Sequence, residues 1–334
     1  MSDSNKKIER RDMLKLGAAA TVGFLAGDLR PAQAAMPPMP ENGATPKAMP
    51  TRNLGRTGYR AGIFSLGGQA AVEQPDNADI AVPIVERALD LGVNYIDTSA
   101  RYGGADARWS ERYIGDVMKR RRREGFLATK THDRTREGSM RLLERSLDLL
   151  KTDHLDLWQI HNLSNMGQID QIFAPGGAVE ALVNARDEKI VRYIGVTGHA
   201  DPDVLLEAIR RFPFDTILMA VNAADPHHMS FSAKLLPLAV EKNMGIIGMK
   251  IPARGRLLSK SGGRGGVTME EAMRYTLTLP VSTVIIGCDS VAQLEENVRI
   301  ARAFTPLSET QMAALTARAE PVKREALFFR PWEA

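Results

Sequence analysis

An Asp, a Tyr, a Lys and a His recur at matching points along this chain. They are Asp97 and Tyr102 in NYIDTSARYGG, Lys130 in FLATK and His161 in LDLWQIH. Together such side chains can protonate a carbonyl oxygen at neutral pH. Tyrosine alone, with a pKa of about 10, is a weak acid there. A neighbouring ammonium lowers that value by favouring tyrosinate, and a carboxylate keeps the ammonium charged and aimed. A neutral imidazole can donate a hydrogen bond to the same oxygen. From Asp97 to Lys130 is 33 residues and from Lys130 to His161 is 31. A strand, a helix and their loops take about 30 residues, so these residues occupy the same place on consecutive βα units.

The elements that would position them follow from the hydrophobic pattern. RNLGRTGYRAG reads as a short hairpin closed at Arg56-Thr57-Gly58, followed by a first strand ending near Leu66. Strand two is NYID, strand three Phe126–Lys130, strand four Leu155–Ile160, strand five VRYIGVT, strand six TILMAV, strand seven GIIGMK and strand eight STVIIG. Apolar residues at helical spacing lie between them, over Asp79–Leu91, Trp109–Arg121, Met140–Leu150, Ala178–Arg186, Val204–Arg211, Leu235–Lys242 and Met269–Leu277. Asp201 is expected to cap the helix at Val204, and Ser290 with Gln293 reads as a capping box. Eight strand–helix units with near-continuous apolar strands predict a (β/α)8 TIM barrel over residues 51–305. An open doubly wound sheet would carry G-x-G-x-x-G after strand one, and FSLGG does not. Residues 306–334 predict a C-terminal extension with a helix over Glu309–Ala319 and an aromatic tail of Phe328, Phe329 and Trp332. Asn162–Gly177 reads as a roomy loop.

Bulk properties narrow the classes. With 44% apolar and 25% charged residues the chain has the composition of a globular domain. Its net charge is +4, and six Lys/Arg against four Asp/Glu in residues 1–34 account for +2 of it. The remainder is near neutral, which argues against a nucleic-acid partner. The run Lys119–Arg123 reads as a solvated helix end. A single cysteine, Cys288, excludes an intramolecular disulfide and a cysteine-cluster metal site.

Residues 1–34 have the order of an export signal. Arg10-Arg11 precede Leu14-Lys15, a mildly apolar stretch runs to Gly27, and Ala32-Gln33-Ala34 offers a cleavage site. The apolar stretch is too short to span a bilayer reliably, so no stable membrane insertion of the mature chain is expected. The pattern resembles a twin-arginine signal, which implies the twin-arginine machinery as a partner and a periplasmic or exported protein that folds in the cytoplasm. Residues 35–50, rich in Pro, Met and Ala, read as a linker.

The combined motifs resemble the aldo-keto reductases. The resemblance covers roughly residues 51–300 and rests on RNLGRTGYRAGIFSLGG, YIDTSARYGGADARWSERYIG, TKTHDRTREGSMRLLERSLDLLKTDHLDLWQIHN, KIVRYIGVTGH and VIIGCDSVAQLEENV. It implies NAD(P)H-dependent reduction of an aldehyde or ketone, a small-molecule carbonyl partner, Tyr102 as general acid, Lys130 lowering its pKa, Asp97 holding Lys130 and His161 orienting the carbonyl. It also places nicotinamide contacts after strands five to seven. There this chain departs from many relatives. Thr197-Gly198 stands for Ser-Asn, Leu218 for a Gln four residues before Asn222, and Met249, followed by Lys250, for a stacking aromatic. After strand eight, Gly287, Asp289, Ser290, Gln293 and Asn297 would cradle the adenosine end at a helix N-terminus. Asp289 repels a 2′-phosphate and suits ribose hydroxyls, so both NADPH and NADH stand as cofactors. Arg254, Arg256 and Arg264 near the rim would suit an anionic substrate, the cofactor diphosphate or plain solvent exposure equally well.

Two other readings exist. His132, His161, His199, His227 and His228 all follow strand ends, as zinc ligands do in TIM-barrel hydrolases. Strand one offers no ligand, and no metal is expected. A barrel that binds nucleotide as a regulatory sensor, with little turnover, is the third class.

Overall fold

The computed structural model describes residues 35–259 and 266–332. Thr51–Asn53 (β1) and Arg60–Gly62 (β2) pair antiparallel, Thr51 opposite Gly62. Gly58, at φ +74°, turns the chain between them. The barrel strands are Phe64–Gly67 (β3), Tyr95–Asp97 (β4), Phe126–Thr131 (β5), Leu155–Ile160 (β6), Val191–Gly198 (β7), Thr216–Ala220 (β8), Gly245–Met249 (β9) and Thr283–Ile286 (β10). They form a closed parallel barrel in chain order, and β10 returns to pair with β3. Helices on the outside bury each strand's second face, which is why the strands read as unbroken apolar runs.

The helices are Thr45–Ala48 (α1), Ala78–Asp90 (α2), Trp109–Arg121 (α3), Arg136–Leu150 (α4), Met166–Phe173 (α5), Ala178–Asp187 (α6), Pro202–Arg211 (α7), Phe231–Lys234 (α8), Leu236–Glu241 (α9), Met269–Thr278 (α10), Val291–Arg302 (α11), Glu309–Ala319 (α12) and Lys323–Ala326 (α13). α4 shows how they seat. Thr135 caps its first turn by accepting from Gly138 N, and Leu143, Leu147 and Leu150 bury one stripe completely. Burying each such leucine contributes roughly 1.5–3 kcal/mol. Among the described residues, no helix is long and apolar enough to cross a membrane.

Three elements differ from the sequence reading. The stretch 162–177, read as a loop, contains α5, whose Ile169 and Ile172 are buried. The helix expected over Leu235–Lys242 is preceded by a separate turn of helix, because the chain breaks at Leu235 before Pro237. Ser290 does cap α11 by accepting from Gln293 N, but the Gln293 side chain accepts from Asp289 N, so the box is not reciprocal.

Residues 35–50, expected as a linker, pack on the base of the barrel. Asn42 donates to Leu89 O at 2.7 Å, Thr45 to Gly92 O at 2.8 Å and Arg302 to Ala48 O at 2.9 Å. Gly92 is required there: its φ is +80°, and a Cβ would lie 2.8 Å from Ala48 Cβ. The basic run at the end of α3 is ion-paired, Arg120 with Glu86, Arg121 with Asp90 and Glu124, and Arg122 with Asp156. At the other end of the barrel the C-terminal tail folds back over the rim. Buried Arg330 pairs with buried Asp225, and Trp332 stacks on His228 at 3.9 Å.

Candidate active site

Strand alternation and register bring the acid–base residues together. Asp97 ends β4, Lys130 lies near the end of β5 opposite Gln159 of β6, and His161 follows β6. All of Asp97 and Lys130 is buried. Lys130 Nζ is ion-paired with Asp97 and donates to Thr98 O at 2.7 Å. Gln159 Nε2 donates to the other Asp97 oxygen at 3.2 Å. Burial pushes the Asp97 carboxyl up and the Lys130 ammonium down, and their mutual attraction opposes both.

Behind this pair sits a second one. Arg108 and Glu111 are both buried, 3.4 Å apart, and Thr129 donates to Glu111 at 2.7 Å. Arg108 also donates to Ala100 O at 3.1 Å and Leu142 O at 3.3 Å. It thereby fixes the loop between β4 and α3 that carries Tyr102. Gly68 lets that loop close: a Cβ there would lie 2.4 Å from Ser110 Oγ and 2.9 Å from Asp97 O.

The Tyr102 ring meets His161 edge to face, with centroids 5.7 Å apart at 81°, and Lys130 Nζ lies 5.0 Å from the ring centroid. Ser99 Oγ is 3.0 Å from His161 Nδ1. Burial, followed by the charge of Lys130, His199, His132 and Arg134, holds the imidazole well below its ordinary pKa, so it is neutral. Whatever Lys130 contributes, the net shift of the tyrosine in this site is upward. Burial raises the Tyr102 hydroxyl well above 10, Asp97 and Glu73 add to that, and Arg254 opposes it.

A cleft of about 360 Å³ opens beside this group at the C-terminal ends of the strands. Of the residues expected to act or to bind cofactor, Asp97, Tyr102, Met249, Lys250, Gly287, Asp289 and Gln293 line it. Gln69, Glu73 and Arg254 line it as well. Lys250 and Arg254 have no carboxylate within ion-pair distance among the described residues, and Met249 is a largely buried part of the wall. Two cations without a paired acid, beside an apolar wall, fit a nicotinamide dinucleotide. Burial lowers Lys250 to about 8.

The other expected cofactor residues do not line this cleft. Thr197 is buried and its hydroxyl accepts from Asn162 N at 2.8 Å. Gly198 packs on the same loop, where a Cβ would lie 2.7 Å from Leu163 O. Asn222 is buried, donating to Lys250 O at 3.0 Å and accepting from Ala224 N at 2.9 Å. Asn297 is buried against Cys288 Sγ at 3.5 Å, and Ser290 serves the helix cap. Arg256 lies over the Phe328 ring at 3.9 Å rather than in the cleft, and Arg264 lies outside the described residues. Gln159 escaped the sequence reading, although its place two residues before His161 puts both on one strand face.

The histidines part company. His227 Nε2 lies 2.8 Å from Thr316 O, His228 Nε2 lies 2.7 Å from Pro331 O, and His199 packs on Phe329. Among the described residues no group of three His, Cys, Asp or Glu side chains is placed to hold a metal ion.

Comparison with known proteins agrees with this architecture. The model of the aldo/keto reductase family matches residues 61–272. L-galactose dehydrogenase of Arabidopsis thaliana is 28% identical over 81% of this chain and 95% of its own length. An uncharacterized oxidoreductase of Bacillus subtilis (strain 168) is 26% identical over 80% of this chain and 95% of its own. The holo form of an aldo-keto reductase from Bacillus halodurans superposes with a TM-score of 0.67 at 24% identity, covering 82% of this chain and 96% of the other. The chain belongs to the aldo/keto reductase family.

Proposed function

We propose that Tyr102 is the general acid of this enzyme, an NAD(P)H-dependent oxidoreductase that reduces an aldehyde or ketone to the alcohol. The observation that carries the assignment is the contact of Tyr102 with neutral His161 above the buried Asp97–Lys130 pair, at the edge of the cleft. The chemistry the cofactor supplies when bound is hydride transfer to the carbonyl carbon. Tyr102, neutral because it is buried, holds its proton until the carbonyl oxygen gains charge. Its hydroxyl then donates, and the Lys130 ammonium nearby stabilises the tyrosinate left behind. Ser99 Oγ lies 3.0 Å from His161 Nδ1, and the tautomer in which the hydroxyl donates there is the one that keeps the ring proton on Nε2, free to hold the carbonyl oxygen. Lys250 and Arg254 would hold the diphosphate, and Asp289 at the start of α11 favours ribose hydroxyls, hence NADH, over a 2′-phosphate.

Titration of the purified protein with NADH and NADPH, beside a carbonyl-reduction assay of Tyr102→Phe, tests the reading. The variant should keep nucleotide affinity within about threefold and lose roughly 10²–10⁴-fold in kcat. Equal turnover by the variant would sink the role given to Tyr102.

The chain also carries the sequence marks of export, and we propose that it folds in the cytoplasm and leaves through the twin-arginine machinery. Arg10-Arg11, the apolar stretch and Ala32-Gln33-Ala34 support this, and they lie outside the described residues. A fold with no disulfide suits such a route. Cell fractionation of the full chain with Arg10→Lys and Arg11→Lys together should move it to the cytoplasm. An unchanged distribution would refute the proposal.

A further inference from the structure

We propose that Gln159 is a positioning residue of this centre: it holds the Asp97 oxygen that Lys130 leaves free, and so fixes the turn of the carboxylate that aims Lys130 beneath Tyr102. The inference rests on the reductase reading above and deepens it.

Gln159 lies on β6 directly opposite Lys130 of β5, and its side chain is wholly buried. Its Nε2 donates to Asp97 Oδ1 at 3.2 Å, while Lys130 Nζ is paired with Oδ2. An ionised carboxylate only accepts, so the amide must present its nitrogen here and not its oxygen. Among the described residues no other group donates to Asp97 Oδ1.

That orientation costs stability elsewhere. Gln159 Oε1 is buried with no hydrogen-bond partner, and a buried acceptor left unpaired is unfavourable. Two residues earlier, on the same strand face, stands the wholly buried Leu157. Packing alone would be served by such a side chain at 159, and the carboxylate is what an amide serves. Gly195, the neighbour of Gln159 on β7, leaves it room: a Cβ there would lie 3.1 Å from Gln159 Cγ and 2.2 Å from Thr216 Oγ1.

A buried carboxylate with one bare oxygen turns more freely and takes up a proton more readily. Either change loosens its hold on Lys130, whose Nζ lies 5.0 Å from the Tyr102 ring centroid. Burial pushes Asp97 up, Lys130 opposes that most strongly, and the Gln159 hydrogen bond opposes it further. The other ionisable groups around the pair are Tyr95 on β4, Tyr102, Glu73 and Arg254 about the cleft, Glu111 on α3, His161 after β6 and Lys250 after β9.

The test compares the full chain with Gln159→Met and Gln159→Glu. It reads kcat for reduction of 4-nitrobenzaldehyde or glyceraldehyde from about pH 5 to 9, with nucleotide affinity at each pH. Gln159 does not line the nucleotide cleft. Affinity should therefore stay within about twofold of the wild type at the same pH, which also reports that the variants fold. Gln159→Met should lower kcat at neutral pH about tenfold or more, with little change in KM for the aldehyde. Its acid limb should move up by about one pH unit, because Asp97 loses a donor that favours its charged form. Gln159→Glu can donate only while the new carboxyl is protonated. Its kcat relative to the wild type should be greatest at the acid end and fall as pH rises through that ionisation. A merely structural role produces no such slope while nucleotide affinity holds. Gln159→Met with the kcat and acid limb of the wild type, or a Gln159→Glu ratio that does not change with pH, overturns the inference and leaves the reductase reading intact. Should Gln159→Met fail to bind nucleotide, Gln159→Glu decides alone. A wild type that binds nucleotide and reduces neither aldehyde sinks the reductase reading, and this inference with it.

Discussion

Two lysines face the same rim and have opposite fates. Lys130 is wholly buried, ion-paired with Asp97 and hydrogen-bonded to Thr98 O. Lys250, across the barrel after β9, reaches only the Gln69 side-chain oxygen at 3.3 Å and has no paired acid. The Asp97–Lys130 and Arg108–Glu111 pairs on this side are therefore complete before any ligand arrives. Beyond β9 the charges are left open, and an anion must complete them. Pre-organisation suits groups that act on developing charge, while an open cation suits a ligand that comes and goes.

Breaking the finished side should have the larger effect. Lys130→Met leaves the Asp97 carboxylate buried without its cation, which should cost about 3–5 kcal/mol in denaturant unfolding. Adding Asp97→Asn should restore part of that loss, because the stranded charge is gone. A single variant as stable as the wild type would mean that the pair is not locked in the way described.

The open side should show itself in pH dependence. Lys250 is depressed to about 8 by burial, with Arg254 adding to the effect and Glu73 opposing it. Its charge is full below that value and is lost as pH rises through it. Nucleotide affinity should therefore fall by roughly tenfold, about 1.4 kcal/mol, between pH 7 and 9. Lys250→Met should bind weakly at pH 7 and show a flat profile. A wild-type profile already flat over this range would remove Lys250 from the cofactor's binding set.

The same contrast divides what could be read from the sequence. Asp97, Lys130 and His161 were legible because strand ends repeat at a fixed spacing, and their register follows from the parallel barrel. Leu155–Ile160 and Glu309–Ala319 fell where their patterns put them. The cofactor side was less legible because a residue's chain position does not say which way a polar side chain turns. Thr197, Asn222 and Asn297 spend their polar atoms on neighbouring backbone or on Cys288. Spacing likewise shows that a lysine is near Tyr102, but the burial that raises the phenol belongs to the whole fold. Helix α5 was lost because its apolar face is only Ile169 and Ile172 within a glycine-bearing stretch.

The pairing of β3 with β10 has a consequence for how the chain is made. Ile286 lies opposite Leu66, and Ser65 Oγ meets Thr283 Oγ1 at 2.7 Å across the seam. The two partners are separated by 220 residues of chain. At a synthesis rate of 5–20 residues per second, roughly 10–45 s pass between the appearance of the first barrel strand and that of its last neighbour. For that interval the growing sheet has two bare edges, each able to pair with another chain. Contacts this distant in sequence also form slowly. The nascent protein is thus most prone to aggregation just before β10 emerges, and a stall there would be more damaging than one anywhere earlier.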